Sequence, residues 1–119
     1  MPDTQSPTHS AGTITVQQRA AGDRVVVAVS GELDMASAPV LRSAISTALD
    51  AGAQHLWVDL CATEFMDSSG IHLLIDTHQR VQDLGRRLAI VCPPGPVRRV
   101  FDVVGVADQL PLRHGQQHA

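Results

Sequence analysis

The stretch HLWVDLCATEFMDSSGIHLL, residues 55–74, decides the fold of this chain. Its first part contains a run of large apolar side chains over residues 56–60, which predicts a central strand. Residues 67–70, Asp-Ser-Ser-Gly, then interrupt the apolar run. Asp and Ser are common N-cap residues, because their side-chain oxygens accept backbone N–H groups that the first turn of a helix leaves free. A helix is therefore predicted to begin directly after the strand.

Beyond this turn, apolar residues recur at three- and four-residue spacing, and polar residues fall on the opposite side. The pattern predicts one amphipathic helix of about four turns. Gly85 is a natural end for this helix. The predicted buried stripe consists of Ile71, Leu74, Ile75, His78, Val81 and Leu84.

The remaining chain alternates between strand and helix patterns. β-branched and apolar runs predict buried strands over residues 24–30 and 87–92, and a weaker alternation predicts an edge strand over 13–19. Helical spacing of apolar residues predicts a helix over about 36–51 and a short last helix over about 97–104. Each strand-helix-strand unit joins neighbouring parallel strands. We therefore predict an α/β fold with a mixed, mainly parallel sheet of roughly four to five strands, the first antiparallel to the second, and helices mainly on one face.

The chain of 119 residues is long enough for one domain and too short for two. We predict a flexible N-terminal leader over residues 1–12, a folded domain over 13–112 and a flexible tail over 113–119. The sequence has no apolar run long enough to span a membrane and no hydrophobic segment like that of a signal peptide. A cytoplasmic protein without a membrane partner is expected.

The composition excludes several function classes. Hydrophobic residues make up 44% of the chain and charged residues 18%, as in folded soluble domains. The net charge is −3, and the largest basic clusters are two Arg pairs, at 86–87 and 98–99, so nucleic acid is not an expected partner. All nine basic residues are Arg. P-loop nucleotide sites and phosphoacceptor receiver domains both use a Lys, so neither is expected in its usual form.

Ser68 lies at the predicted start of a helix, where free N–H groups and a partial positive charge favour an anion. Two interpretations follow from this position. The hydroxyl could cap the helix, which is the common role of a serine at such a place. Alternatively, Ser68 could carry a phosphate without unfolding its own helix. The local pattern leaves both open.

No catalytic or metal site is predicted. The nucleophile elbow of serine hydrolases is Gly-x-Ser-x-Gly, and Met66 stands two residues before Ser68, so the match fails. Among the histidines, only His114 and His118 have the four-residue spacing of helical zinc ligands, and they lie in the predicted tail. We therefore expect no enzyme activity, no metal and no cofactor.

The two cysteines, Cys61 and Cys92, are predicted near the carboxyl ends of neighbouring strands. Reduced thiols are expected in a cytosolic protein. Two small buried thiols are one interpretation, and a pair close enough for a redox-controlled disulfide is the other.

Acidic residues also follow the second predicted strand, in the segment Gly-Glu-Leu-Asp at 31–34. The carboxyl ends of parallel strands meet at one edge of a sheet, so this segment is expected beside Ser68. Asp34 could cap the following helix or form part of a recognition surface at this edge.

Four segments together resemble the bacterial anti-sigma-factor antagonists, whose fold is the STAS domain. The resemblance covers residues 13–112. The segments are Gly31-Glu32-Leu33-Asp34, Val58-Asp59-Leu60, Phe65-Met66-Asp67-Ser68-Ser69-Gly70, and Val97-Arg98-Arg99-Val100-Phe101 before Gly105.

The resemblance implies a function without catalysis by this chain. In the family, the serine after the aspartate is phosphorylated by an anti-sigma factor that is also a serine kinase. The unphosphorylated antagonist binds that kinase and frees the sigma factor, and a PP2C-type phosphatase restores the serine. The resemblance thus implies that Ser68 is the phosphoacceptor. The implied partner-binding residues are Asp34, Asp67, Ser69, Gly70 and His72.

His72 departs from the pattern, since many relatives have a small residue such as glycine there. A larger, titratable side chain two positions after Gly70 could change which kinase fits. An alternative function is a STAS domain that serves as an accessory subunit of a transport complex or as a nucleotide-binding sensor, with Ser68 only a cap.

Overall fold

The structure is a computed structural model that describes residues 8–11 and 14–114. Within these ranges, strands and helices alternate after an N-terminal pair of strands. The elements are β1 Thr8–Ala11, β2 Ile14–Ala21, β3 Arg24–Leu33, α1 Ala38–Asp50, β4 His55–Met66, α2 Ser68–Asp83, β5 Arg87–Val91, α3 Pro96–Val104, a 3-10 helix Ala107–Gln109, and β6 Leu112–Arg113.

The strands form one sheet in the order β1-β2-β3-β4-β5-β6. Strands β1, β2 and β3 pair antiparallel, and the pairs from β3 to β6 are parallel. Each helix therefore connects two neighbouring parallel strands. The predicted mixed, mainly parallel sheet and its antiparallel β2–β3 pair are confirmed.

The sheet has one more strand on each side than predicted. Thr8–Ala11 pairs with β2, so the assignment of these residues to a flexible leader is wrong. Leu112–Arg113 pairs with β5, so Arg113 belongs to the sheet rather than to the tail. Neither segment has the apolar alternation that identifies a strand in a sequence. Each still forms a short edge strand, because backbone pairing with one neighbour is enough. The other predicted leader and tail residues, except His114, lie outside the described residues.

All three helices pack on one face of the sheet and bury the main core there. Leu41 of α1, Ile71 of α2 and Phe101 of α3 are fully buried in one cluster with strand residues such as Val27 and Ile90. Each such side chain contributes about 1.5–3 kcal/mol by leaving water. The predicted placement of the helices on one face is thus confirmed.

Among residues 8–11 and 14–114, no helix packs on the opposite face. A second cluster there contains Val26, Trp57, Ala89 and Val91. The Trp57 Nε1 donates a hydrogen bond of 2.9 Å to His55 Nε2. Arginine side chains stack over the indole ring, with the Cζ atoms of Arg24 and Arg113 at 4.2 and 5.1 Å from its centroid. Cation–π contacts of this kind let charged side chains shield an apolar face.

The buried face of α2 differs in part from the predicted stripe. Leu73 and Thr77 are buried, whereas Ile75 and Leu84 are exposed. The Thr77 hydroxyl donates a 2.8 Å hydrogen bond to the Leu73 carbonyl oxygen one turn earlier. Because that bond satisfies the hydroxyl within the helix, a polar residue can occupy a core position. In the described residues, the helices are too short or too polar to span a membrane.

Phe101→Ala should destabilise the protein strongly, because it removes a fully buried ring from the core under α3. We expect a loss of about 3–5 kcal/mol in the free energy of unfolding, measured by urea denaturation. Val103→Ala is the matched control, since Val103 lies on the same helix and is 79% exposed. It should change stability by less than about 0.5 kcal/mol. Equal losses in the two variants would contradict the packing of α3.

Candidate functional site

The ends of β3 and β4 lie side by side and carry the candidate site. Leu33 and Met66 are paired at the end of the two strands. The backbone N–H of Asp67 donates a 3.2 Å hydrogen bond to the carbonyl oxygen of Leu33. The segment at 31–34 and the start of α2 therefore meet at one edge of the sheet, as the sequence predicts. We call the surface around Asp34, Asp67 and Ser68 the switch edge.

Asp67, and not Ser68, caps α2. The Asp67 backbone is extended, and its Oδ1 accepts a 2.9 Å hydrogen bond from the backbone N–H of Ser69. The Asp67 carbonyl oxygen accepts a second bond, of 3.1 Å, from the N–H of Gly70. Ser68 is the first residue of the helix, and its side chain is exposed. The interpretation of Ser68 as the capping residue is therefore wrong, and its hydroxyl faces solvent at the positive end of α2.

Gly70 lets α2 begin in direct contact with the ends of the strands. It is buried. A Cβ atom at this position would lie 2.6 Å from Met66 Cγ and 2.9 Å from Leu33 Cδ2. Both distances are too short for carbon atoms, so a side chain here would push the helix away from the sheet. The structure thus gives Gly70 a packing role, and its contact with a partner stays a prediction.

Asp34 is held by the turn that precedes α1. Its Oδ1 accepts hydrogen bonds from the N–H groups of Ala36 at 3.0 Å and Ser37 at 2.9 Å. The buried Ser37 hydroxyl donates a 2.7 Å bond to the Glu32 carbonyl oxygen. The hydrogen bonds from Ser37 lower the pKa of Asp34 below 3.8. Asp34 is therefore a fixed carboxylate at neutral pH.

This turn also delays the first helix. The sequence predicts that α1 begins at about Ala36, but it begins at Ala38. The residues before it form a turn in which Asp34 accepts the N–H groups of Ala36 and Ser37. Pro39 then lies in the first turn, where a missing N–H costs no helical hydrogen bond. Asp34 thus shapes the turn before α1 and does not cap the helix itself.

Apolar side chains border the switch edge on the solvent side. Met35 is 78% exposed and Phe65 is 48% exposed. Exposed apolar side chains beside a polar site are typical of a surface that binds another protein. Met35 is a site residue that the sequence pattern did not predict, although its position directly after Asp34 indicates that it lies at this edge.

A cleft of about 270 Å³ lies next to Ser68, between the starts of α1 and α2. Met35 and residues of α1 line it together with two residues of α2, and the lining residues are Met35, Ala38, Pro39, Arg42, Ser69 and His72. His72 is exposed. The cleft can hold one side chain of a partner, and Arg42 and His72 can donate hydrogen bonds to it.

The cysteines are not arranged as predicted for two buried thiols. Cys61 is exposed, Cys92 is buried, and neither forms a disulfide. Although Cys61 is an exposed residue, partial desolvation of its thiol and then the nearby Asp59 raise the pKa of Cys61 to about 12. Burial raises the pKa of Cys92 to about 11. Both groups are therefore protonated at neutral pH and are poor nucleophiles. Across the described residues, no cluster of His, Cys, Asp and Glu has the arrangement of a metal site.

The fold agrees with comparisons to known proteins. Residues 13–119 match the model of the STAS domain. The chain belongs to the STAS domain family. It is also similar to the anti-sigma-B factor antagonist of Staphylococcus aureus, with 26% identity over 91 residues that cover 76% of this chain and 84% of that protein.

Solved structures of anti-sigma factor antagonists share the fold. The Mycobacterium paratuberculosis antagonist has 31% identity and a TM-score of 0.78, with 84% of this chain and 85% of that chain covered. The antagonist SpoIIAA in its unphosphorylated form has 27% identity and a TM-score of 0.72, with 86% and 89% covered. The phosphorylated form of the Bacillus protein SpoIIAA has 26% identity and a TM-score of 0.66, with 86% and 92% covered. The predicted STAS fold and the resemblance to this family are confirmed.

Asp67→Ala should destabilise the protein, because the N–H of Ser69 loses its hydrogen-bond partner. The expected loss is about 1 kcal/mol in the free energy of unfolding. Ser68→Ala, one residue away and exposed, should change stability by less than about 0.5 kcal/mol. Urea denaturation of both variants measures the difference. A larger loss in Ser68→Ala than in Asp67→Ala would contradict the assignment of the cap.

Gly70→Ala tests the close contact beneath Ser68. In an open helix, replacing Gly by Ala stabilises by about 1 kcal/mol, because alanine has the higher helix propensity. Here the added methyl group collides with Met66 and Leu33. We expect instead a loss of about 1–3 kcal/mol in the free energy of unfolding. A variant that is more stable than the natural protein would contradict this prediction, because it would mean that the start of α2 is not packed on the strands.

Proposed function

We propose that this protein is an anti-sigma factor antagonist that is switched by phosphorylation of Ser68. In the unphosphorylated form it binds an anti-sigma factor that is also a serine kinase, and the sigma factor is released. A phosphate on Ser68 blocks this binding, and a PP2C-type phosphatase restores the free serine. The chain itself acts by binding rather than by catalysis. The observation that carries the proposal is the exposed Ser68 hydroxyl at the first residue of α2, with the cap supplied by Asp67.

The position of Ser68 allows phosphorylation without unfolding. Because Asp67 accepts the N–H of Ser69, the Ser68 oxygen is not needed to hold the helix. A phosphate at the amino end of a helix is favoured by the macrodipole, which carries roughly half a positive charge there. The phosphorylated protein is therefore expected to keep its fold. SpoIIAA, a protein of the same fold, has been solved in both unphosphorylated and phosphorylated forms, which supports this expectation.

The surroundings of Ser68 explain why a phosphate would prevent binding. A partner that covers Met35 and the cleft that it shares with Ser69 also removes water from the adjacent Ser68. Phosphorylation adds about −1.5 to −2 charges to that place. The charge adds to the fixed carboxylates of Asp34 and Asp67 at the same edge. An unpaired charge that loses its water costs about several kcal/mol, and about 1.4 kcal/mol is a tenfold change in affinity.

The cleft beside Ser68 supports a role in the choice of partner. His72, Arg42 and Met35 are among its lining residues. A residue smaller than histidine at position 72 would enlarge the cleft and remove a hydrogen-bonding group. We propose that His72 restricts which anti-sigma factor fits this surface. Asp34, Asp67 and Ser69 form the polar part of the same partner-binding surface.

Ser68→Asp should abolish binding to the purified anti-sigma factor, with an affinity loss of about a hundredfold or more, because it places a charge in the buried interface. Ser68→Asn is the matched control, since asparagine has the same shape and no charge. It should bind within about tenfold of the unmodified protein. Calorimetry gives the affinities, and circular dichroism checks that both variants keep their helical content.

Labelling identifies the modified residue directly. The anti-sigma factor and radiolabelled ATP should phosphorylate the natural protein and Ser69→Ala, and leave Ser68→Ala unlabelled. Tight binding by Ser68→Asp, or equal labelling of Ser68→Ala, would contradict the proposed switch. A transport accessory subunit or a nucleotide sensor predicts neither result.

A further inference from the structure

A second cleft lies at the edge of the sheet opposite Ser68, at the amino ends of the parallel strands. The three turns β2–β3, α1–β4 and α2–β5 enclose it. Its volume is about 610 Å³, more than twice that of the cleft beside Ser68. This volume lies within the range of about 300–1,000 Å³ that is typical of small-molecule sites. We call it the basal cleft.

The walls of the basal cleft are open because each turn contains a glycine. Gly22, Gly52 and Gly85 have positive φ angles of 67°, 99° and 69°. No atom lies within 4 Å of the position that a Cβ would occupy at any of the three. These glycines are therefore not required by close packing. They shape the three turns and leave space between them.

The basal cleft concentrates positive charge in a chain whose net charge is −3. Arg24, Arg86 and Arg87 line it, and Asp23 is the one carboxylate among the lining residues. The carboxyl ends of α1 and α2 lie on the same side and carry roughly half a negative charge each. Even with both helix ends and Asp23 counted, the three guanidinium groups leave an excess of positive charge.

Two of these arginines differ in how firmly the protein holds their side chains, and this difference suits a binding role. Arg86 is fixed, because its Nη1 donates to the carbonyl oxygens of Leu49 at 2.8 Å and Ala53 at 3.1 Å. Arg87 lies 3.8 Å from Asp23 in a contact that is mostly exposed and therefore weak. One cation is thus preorganised in the wall, and another can turn toward a ligand at little cost.

His55 reports the positive potential of this region. Its pKa is lowered by burial and next by the charge of Arg87, with further contributions in the same direction from Arg24 and Arg113. Asp23 acts in the opposite direction but does not reverse the shift. A neutral imidazole beside several guanidinium groups is the state expected where the local field disfavours another cation.

We propose that the basal cleft binds a small phosphate-bearing anion, with Arg24, Arg86 and Arg87 as the binding residues. Guanidinium groups match phosphate oxygens in bidentate geometry, and several of them favour a polyvalent anion. The volume of the cleft exceeds that of one phosphate and suits a pyrophosphate group, either free or as part of a nucleotide. The site lies at the edge of the sheet away from Ser68, so it is separate from the proposed switch.

The test uses the only tryptophan of the chain as a reporter. Because Arg24 stacks on Trp57 and His55 accepts its indole N–H, a ligand that engages Arg24 changes the Trp57 fluorescence. Titration of the full chain with pyrophosphate, at constant ionic strength, should give a saturable change. The NMR amide signals of Gly22, Gly52 and Gly85 should shift in the same titration.

Two variants with opposite expected effects keep the test independent of folding. Arg87→Gln should weaken pyrophosphate binding by about tenfold or more, because a charged hydrogen-bond donor is lost. Asp23→Asn should strengthen binding by roughly threefold or more, because it removes the opposing carboxylate from the cleft. Arg99→Gln, at an exposed position of α3, makes the same charge change outside the cleft and should leave the affinity unchanged.

The choice of anions separates the possible ligands. Tighter binding of a nucleoside diphosphate than of pyrophosphate would identify a nucleotide as the source of the phosphate, and equal binding would identify the inorganic anion. Equal binding of citrate would overturn the phosphate assignment. A response that is reproduced by potassium chloride, or that is the same in Arg87→Gln and Asp23→Asn, would overturn the site. None of these results depends on whether Ser68 is phosphorylated.

Discussion

The start of α2 rests directly on the ends of β3 and β4, and this contact depends on the absence of a side chain at Gly70. Met66 and Leu33 occupy the space that a Cβ would need. With the helix held this close, the N–H of Asp67 reaches the Leu33 carbonyl oxygen, and the Asp67 side chain caps the first turn. Ser68 is exposed as a consequence, because Asp67 is bound to the end of β3 and Gly70 packs against Met66 and Leu33. A buried glycine thus determines how a surface hydroxyl is presented.

The two edges of the sheet differ in charge, and the direction of the helices explains the difference. At the carboxyl ends of the strands, Asp34 and Asp67 accept N–H groups in the turns where α1 and α2 begin. At the amino ends, Arg86 donates to the carbonyl oxygen of Leu49 in the last turn of α1 and to that of Ala53 in the turn that follows. Carboxylates at helix starts and guanidinium groups at helix ends both complement the macrodipole. One fold therefore separates the hydroxyl-bearing edge, proposed to bind a protein partner, from a basic edge that suits an anion.

Local sequence patterns predicted the turn between β4 and α2 well, but predicted which residues of α2 and β4 are buried less well. The turn at 67–70 follows from residue types that act within one or two positions of themselves, so a short window contains the necessary information. The burial of Leu73 and Thr77 depends on how α2 is rotated against the sheet, which the helical period alone does not specify. The exposure of Cys61 depends on strand lengths: β5 ends opposite Asp59, so the last part of β4 has a neighbour on one side only.

The amino-acid sequence by itself determined the alternation of strands and helices and a serine at a helix start, because each of these follows from local periodicity or capping chemistry. The tertiary structure alone decided that Asp67 rather than Ser68 is the cap. It also decided that Met35 and Phe65 border the switch edge and that three arginines from two separate turns share the basal cleft. These features depend on the pairing of residues far apart in the chain, and distances between such residues are set by packing rather than by any local pattern.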